Sequence, residues 1–312
     1  MSNLMGKRNW FFALSALIII PGLISLIVFH LRLGIDFTGG SLLQYDFTQQ
    51  VQTSGIEQVY ASVGIPDVTV QTGPAQSGAG VTAYIHAPNL DVNQIDAAEA
   101  ALKARYGSVT RDSVDTVGPL IGQQTEQSAI EAVVAAAAII LMYIWWAFRR
   151  LDKPYRYGTC AIIALLHDVL VVVGLWSIFG KVFGFEVDAL FVTGVLTVVG
   201  FSVHDTVVVF DRIRENLIKR AGATFETTVN NSLTQTLVRS LNTSLTVLFT
   251  LLALALFGGA TIRNFVLVLL IGIASGTYSS IFNASALLVV WDYWDQRKHA
   301  QGRGAQTRLA TV

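Results

Sequence analysis

The chain has 312 residues, 53% of them apolar and 13% charged, a balance that excludes a single soluble domain of this length and indicates a protein dissolved largely in lipid. Its formal net charge of zero excludes the surplus of Lys and Arg that would draw nucleic acid. The lone cysteine, Cys160, lies in an apolar run and reads as packing; it excludes an intramolecular disulfide and a thiolate zinc cluster.

Residues 1–9 are a short polar N-terminus carrying Lys7 and Arg8, and the apolar run 10–31 is the first predicted membrane span. It resembles a secretory leader in position, but it exceeds the usual 7–15 apolar residues and has no small-x-small site before Arg32, so it is expected to stay in the membrane. Residues 32–125 form a domain outside the membrane, and their periods can be taken in turn. Ser41–Phe47 alternates as a strand. Ile56, Val59, Tyr60 and Val63 mark one helix face, Val68 and Val70 resume period two, and Gly73–Gly80 is a flexible turn. Val81, Ala83 and Ile85 alternate again, Asp91 caps a second helix with Val92, Ile95, Ala98, Leu102 and Tyr106 on one face, and Val109–Val117 is the last strand. The order β-α-β-β-α-β predicts a ferredoxin-like α+β domain, two helices on one face of a four-stranded sheet.

Further spans are expected near 126–148, 158–179, 188–210, 240–258 and 264–290, which makes an all-α, six-span membrane protein with the small α+β domain between spans one and two. Between spans four and five lies a cytoplasmic loop, 211–239, whose stretch Thr224–Val238 has helical apolar spacing suited to the membrane surface. Residues 291–312 read as a cytoplasmic tail. Six lysines and arginines, Arg32, Lys103, Arg105, Arg111, Lys181 and Arg263, fall on the side of the long outside domain, and the remaining 21 − 6 = 15 fall on the other side. Both termini are therefore expected in the cytoplasm.

Ionisable residues within a bilayer cost several kcal/mol and ask for a reason. Asp168, preceded by His167, lies about ten residues into the third span, and Asp205, preceded by His204, lies roughly 9 Å inside the fourth. Arg239 opens the fifth. Asp205 can carry a proton when neutral and pair with a cation such as Arg239 when ionised, or it can be a permanent ion pair that fixes helix register. Asp168 is open to a proton role or to service as a buried hydrogen-bond partner, His204 to tuning its neighbour, and Arg239 to simple snorkelling. Hydroxyls and amides on spans four, five and six, Ser202, Ser244, Ser275, Ser279 and Asn283 among them, could line a hydrated route or bond helix to helix. Gly272 and Gly276 are a small-xxx-small pair that lets two helices approach.

These residues sit in longer stretches: G-I-D-F-T-G-G-S at Gly34–Ser41, G-F-S-V-H-D-T-V-V-V-F-D-R-I-R-E-N at Gly200–Asn216, S-L-T-Q-T-L-V-R-S-L-N-T-S-L at Ser232–Leu245, F-G-G at Phe257–Gly259, and I-G-I-A-S-G-T-Y-S-S-I-F-N-A-S-A-L-L at Ile271–Leu288. They resemble the SecF branch of the SecD/SecF protein-export family, membrane proteins of the resistance-nodulation-division type built from two related six-span halves. The resemblance implies a bacterial inner-membrane protein, an obligate SecD partner supplying the other half, and work beside the SecYEG translocon and the SecA motor on exported unfolded polypeptide, driven by the proton motive force. It implies the proton-coupling acid at Asp205 and its arginine at Arg239, and places Asp36 in the motif where the first span meets the outside domain. Phe201 and His204 depart from the pattern, where Tyr and Asn are expected; the second bears on proton affinity at Asp205. Asp36, Gly39 and Gly40 are read either as coupling membrane to domain or as a span end and a tight turn.

Two other classes are prompted by the residues. A metal or small-solute exporter would use the His-Asp pairs, but adjacent residues do not share a helix face as chelation requires. A passive scaffold would only stabilise its partners. An enzyme is not expected: there is no H-E-x-x-H helix, and Gly174–Val182 is one residue too long for a phosphate loop and lacks its terminal hydroxyl. No cofactor is implied.

Overall fold

Apolar runs can cross lipid only if their backbone hydrogen bonds close internally, which is why they fold as helices. A computed structural model describes residues 4–74, 80–149 and 153–309. In chain order it contains α1 (Arg8–Phe29), α2 (Ile35–Thr38), β1 (Gly40–Phe47), α3 (Thr53–Ser62), β2 (Thr69–Pro74), β3 (Val81–Ala87), α4 (Val92–Tyr106), β4 (Val109–Val117) and α5 (Pro119–Phe148). There follow α6 (Pro154–Phe183), α7 (Ala189–Ile218), α8 (Phe225–Phe257), α9 (Ala260–Tyr278), a π-helical stretch Ser279–Ala284, and α10 (Ser285–Leu309). Six of these stretches are long and apolar enough to span a membrane: Met5–Phe29, Pro119–Phe148, Pro154–Phe183, Ala189–Ile218, Phe225–Phe257 and Ile262–Lys298. Residues 32–132 with 183–189 form one compact unit, and the rest of the helices form the other.

In the first unit the strands form one antiparallel sheet in the order β2-β3-β1-β4. Leu43, Tyr45 and Phe47 of β1 and Ala83 and Ile85 of β3 point to one face, and they share a core with Ile56, Val59 and Tyr60 of α3 and Ile95, Ala98 and Leu102 of α4. Both helices thus cover the same face, since residues two apart on a strand face the same way. Burial, with Glu99 adding to it, pushes the Tyr45 hydroxyl up to about 12, so it stays neutral at any physiological pH. Asp91 caps α4 through a reciprocal pair with Gln94. Val92, expected on the buried face, is 71% exposed, because the first residue of a helix precedes the turn that packs. Most of the turn expected at Gly73–Gly80 lies outside the described residues.

The helical unit packs by close backbone approach. A Cβ on Gly174 of α6 would stand 2.9 Å from the Gly22 Cα of α1, and one on Gly22 would stand 3.0 Å from the Gly174 Cα. One turn on, Ser177 Oγ donates to His30 O (2.9 Å), so the Ser25 hydroxyl donates to Ser177 (3.0 Å). The pair Gly272 and Gly276 does admit α7: their missing side chains leave room for Val198 and Ser202. Phe148, Tyr157 and Phe210 stack at 5.6–5.8 Å between ring centroids at one end of the core.

Helices run further than expected. The segment Thr224–Val238 is not a separate surface helix: Thr224 caps α8 through the Thr227 amide (3.1 Å), and the helix continues unbroken to Phe257. With α7 reaching Ile218, the predicted loop 211–239 shrinks to the residues between the two helices, and Arg239 lies within α8 rather than at its start. Ser232, Thr236 and Ser240 are buried on α8, so polarity there marks helix contacts and not a water-facing loop. The predicted tail 291–312 likewise continues α10 to Leu309.

The Gly22–Gly174 crossing has no slack, because backbone meets backbone. Gly174→Ile is expected to lower the thermal unfolding temperature of the detergent-solubilised protein by several degrees, an overpacking cost of about 1–3 kcal/mol. Gly158→Ala on the same helix, whose Cβ meets only the Ile144 side chain at 3.6 Å, is expected to leave it unchanged.

Candidate functional site

Two acids are buried among the helices, and their surroundings differ. Asp168 is 1% exposed on α6. Its Oδ2 accepts from Ser202 of α7 (2.6 Å) and Ser279 of the π-helical stretch (2.7 Å), and its Oδ1 accepts from Ser275 of α9 (2.7 Å). His167 Nδ1 lies 3.0 Å from Oδ1, and its Nε2 lies 3.0 Å from Ser15 of α1. Asn283 donates to the same Ser15 oxygen (2.7 Å). A neutral imidazole with its proton on Nδ1 lets each group donate to the next, from Asn283 through Ser15 and His167 to Asp168, while Asn283 Oδ1 has no partner among the described residues.

The π-helical stretch is what gathers these groups. Widened by one residue per turn, it aims Ser279 at α6, Ser280 at α7 and Asn283 at α1. Ser280 donates to Ser202 O (3.2 Å), which leaves the Thr206 hydroxyl to donate to Ser280 (2.8 Å).

Asp205 is 3% exposed on α7, and its hydrogen bond is long: Ser244 Oγ of α8 at 3.5 Å. Thr277 of α9 stands behind Ser244 at 2.7 Å. Arg239 does not join it. Ser244 is five residues further along α8, a rotation of roughly 140°, so the guanidinium is exposed on the opposite side and, among the described residues, forms no ion pair. His204 is also exposed, about 100° around α7 from Asp205. These two belong instead to an outward polar face: Thr193, Thr197, His204 and Asp211 on α7, and Gln235, Arg239, Asn242, Thr243 and Thr246 on α8, all exposed.

The third group of predicted residues, Asp36, Gly39 and Gly40, lies in the unit containing the sheet. Gly39 and Gly40 have φ of +70° and +118°, and a Cβ on Gly40 would stand 2.7 Å from Ala87 O at the end of β3. A Cβ on Gly39 would meet Pro119 at 3.0 Å, and one on Gly122 would meet Gly39 N at 2.8 Å, so the start of α5 lies directly on this turn. Asp36 Oδ2 accepts from the Ala189 amide (2.8 Å), the first residue of α7. The glycine turn is thus where β1, β3 and the starts of α5 and α7 meet. Among the described residues no group of three His, Cys, Asp or Glu could hold a metal ion.

Sequence patterning singled out the acids and glycines but not Ser15, 152 positions from the His167 it bonds. A serine in an apolar span was the available signal, and α1 has two, Ser15 and Ser25, neither of which names its partner.

Residues 97–294 match the model of the family described as protein export membrane protein SecD/SecF, C-terminal, and residues 24–51 match the SecD/SecF GG motif. The protein translocase subunit SecF of Thermobaculum terrenum is 53% identical over 304 residues, 95% of each chain. The protein translocase subunit SecDF of Bacillus subtilis is 35% identical and covers 91% of this chain, which spans 37% of that longer protein. Among solved structures, SecDF from Thermus thermophilus, a translocon-associated membrane protein, superposes with a TM-score of 0.81 at 31% identity over 94% of this chain and 39% of its own.

The four donors on Asp168 would be left without their charged acceptor by Asp168→Asn, at about 1–3 kcal/mol for each unsatisfied group. Asp168→Asn is therefore expected to depress the thermal unfolding temperature clearly, and Asp205→Asn to shift it little, when the purified proteins are melted side by side.

Proposed function

The chain belongs to the SecD/SecF family of protein export membrane proteins, and from that premise we propose that it is the SecF-type half of an inner-membrane complex that uses the proton motive force to enhance protein export. Both termini lie in the cytoplasm in this reading, which the distribution of Lys and Arg supports. No cofactor and no catalytic residue are assigned; ATP is consumed by SecA, and the substrate is unfolded polypeptide leaving the SecYEG translocon.

The single observation that carries the proton reading is the contrast between the two acids. Asp168, with four short hydrogen bonds, holds α6, α7, α9 and, through His167, α1 together. Asp205, whose Ser244 donor stands at 3.5 Å with Thr277 behind it, has room for a proton on its carboxyl without displacing a network of short bonds. Each proton moved through 100 mV releases about 2.3 kcal/mol, enough to bias a conformational equilibrium more than tenfold.

SecD is the obligate partner, and the polar face of α7 and α8 supports this. The exposed Thr197, Thr243 and Thr246 bond carbonyls of their own helices, but exposed Asn, His and Arg on a span are costly against lipid, so a second membrane protein is expected to cover them. Arg239 and His204 then act from that interface, where Arg239 can meet an acid of SecD or, after rotation of α8, Asp205. In Bacillus subtilis the corresponding relative bears the name SecDF, which supports two halves working as one. The β-α-β-β-α-β domain, which we read as ferredoxin-like, is the moving lever, and Asp36, Gly39 and Gly40 join it to the starts of α5 and α7.

In inner-membrane vesicles with equal amounts of complex, an imposed proton gradient, and not a sodium gradient, is expected to stimulate export. Asp205→Asn and Arg239→Met are each expected to remove at least nine-tenths of that stimulation; full retention in Asp205→Asn would sink the mechanism. Asn242→Leu combined with Thr246→Leu is expected to cut co-purification with SecD several-fold, and unaltered recovery would show that this face is not the interface.

A further inference from the structure

We infer that the segment 183–189 between α6 and α7 is a strap, latched by His86 and Glu186, through which the outside domain grips the start of the Asp205-bearing helix. The inference rests on the proton reading above and names the elements that would transmit it.

A connection between two spans needs only to close a turn, and its polar groups are ordinarily left to water. This one is tied along its length. Val187 N donates to Arg32 O (2.7 Å) and Gly34 N donates back to Val187 O (2.8 Å), which makes an isolated parallel bridge between Leu33 and Val187. A Cβ on Gly34 would stand 3.2 Å from Val187 O, so the two segments pass in tight contact. Glu186 Oε1 lies 2.9 Å from His86 Nε2 on β3, and both side chains are about one-fifth exposed. With its amide oriented to suit its neighbours, Gln71 of β2 donates to Gly184 O (3.2 Å) and accepts from Arg32 Nη1 (3.2 Å). Gly184 has φ +75°, a conformation that glycine adopts freely. Asp36 completes the set by holding the Ala189 amide.

The strap therefore joins β2, β3 and the glycine-turn segment to the first residue of α7. The cleft beside it, about 490 Å³, is lined by polar residues, Arg32, Gln71, His86 and Glu186 among them, and by apolar ones such as Ile35 and Pro88; the His86–Glu186 pair is one-fifth exposed, so it can be broken and remade in water without opening the apolar core. The latch does not need a charged histidine, because a neutral imidazole with its proton on Nε2 still donates to the carboxylate. His86 and Glu186 are positioning residues: they hold where α7 begins, and α7 carries Asp205.

Amide exchange followed by mass spectrometry on the purified complex with SecD reads the strap directly. Exchange across 183–189 is expected to accelerate at least tenfold in His86→Ala and in Glu186→Ala, and to stay near the native rate in Glu186→Gln, whose amide oxygen still accepts from the imidazole. In vesicles the two alanine variants are expected to lose about two-thirds or more of gradient-driven export, with gradient-free export and assembly unchanged, and the double variant is expected to be no worse than either single one. Unchanged exchange in the alanine variants overturns the strap. Faster exchange with gradient-driven export intact, in vesicles where Asp205→Asn abolishes it, overturns the coupling; so does an equal fall in gradient-free export. If Asp205→Asn is silent as well, the proton reading has failed, and the exchange rates alone decide the strap.

Discussion

A carboxylate inside a bilayer has to be met by donors from the protein, and at Asp168 that requirement organises the helices. Three serine hydroxyls and an imidazole converge on it from α6, α7, α9 and the π-helical stretch, and His167 extends the chain to α1. The small residues around it follow from the same need. Gly276 lets α9 come close enough for Ser275 and Ser279 to reach the acid, since a Cβ there would stand 3.5 Å from Asp168 Oδ2 and 3.3 Å from Ser202. The π-helical turn lies at the same place, and Ser279, Ser280 and Asn283 within it meet α6, α7 and α1.

Two acids at similar burial thus end in opposite situations. The carboxylate of Asp168 is met by donors at 2.6–3.0 Å, whereas that of Asp205 is met by Ser244 at 3.5 Å. In the function proposed above, the first acid belongs to a fixed frame and the second carries the mobile charge. The exposed polar stripes lie on α7 and α8, the two helices that carry Asp205 and Ser244.

Outside the helices, the glycine turn is shaped by crowding rather than by flexibility. Gly39 and Gly40 sit where backbone from β3 and the start of α5 passes within contact of their Cα atoms, and Gly34 sits where the strap does. Four chain segments meet there in close contact. Asp36 and the His86–Glu186 pair add directional contacts to the same place.

Apolar periodicity was enough to locate the six spans, the β-α-β-β-α-β order, the Asp91 cap and the residues of the sheet core, because each depends on the chain within a few residues of itself. The acids and glycines were legible for the same reason: a charge in an apolar run, or a glycine pair at a span end, is conspicuous alone. Partnership was not. That Asp168 would collect Ser202, Ser275 and Ser279, that Arg239 would turn away from Asp205, and that residues 183–189 would fold onto Gly34 and His86 depends on how distant segments pack. The same holds for Thr224–Val238, whose helical spacing suited the membrane surface and which instead opens α8, with Ser232 and Gln235 accepting from Asn216 of α7. Local sequence specifies which groups a helix presents; only tertiary packing decides what each group meets, because hydrogen bonds between elements form at separations that no periodicity encodes.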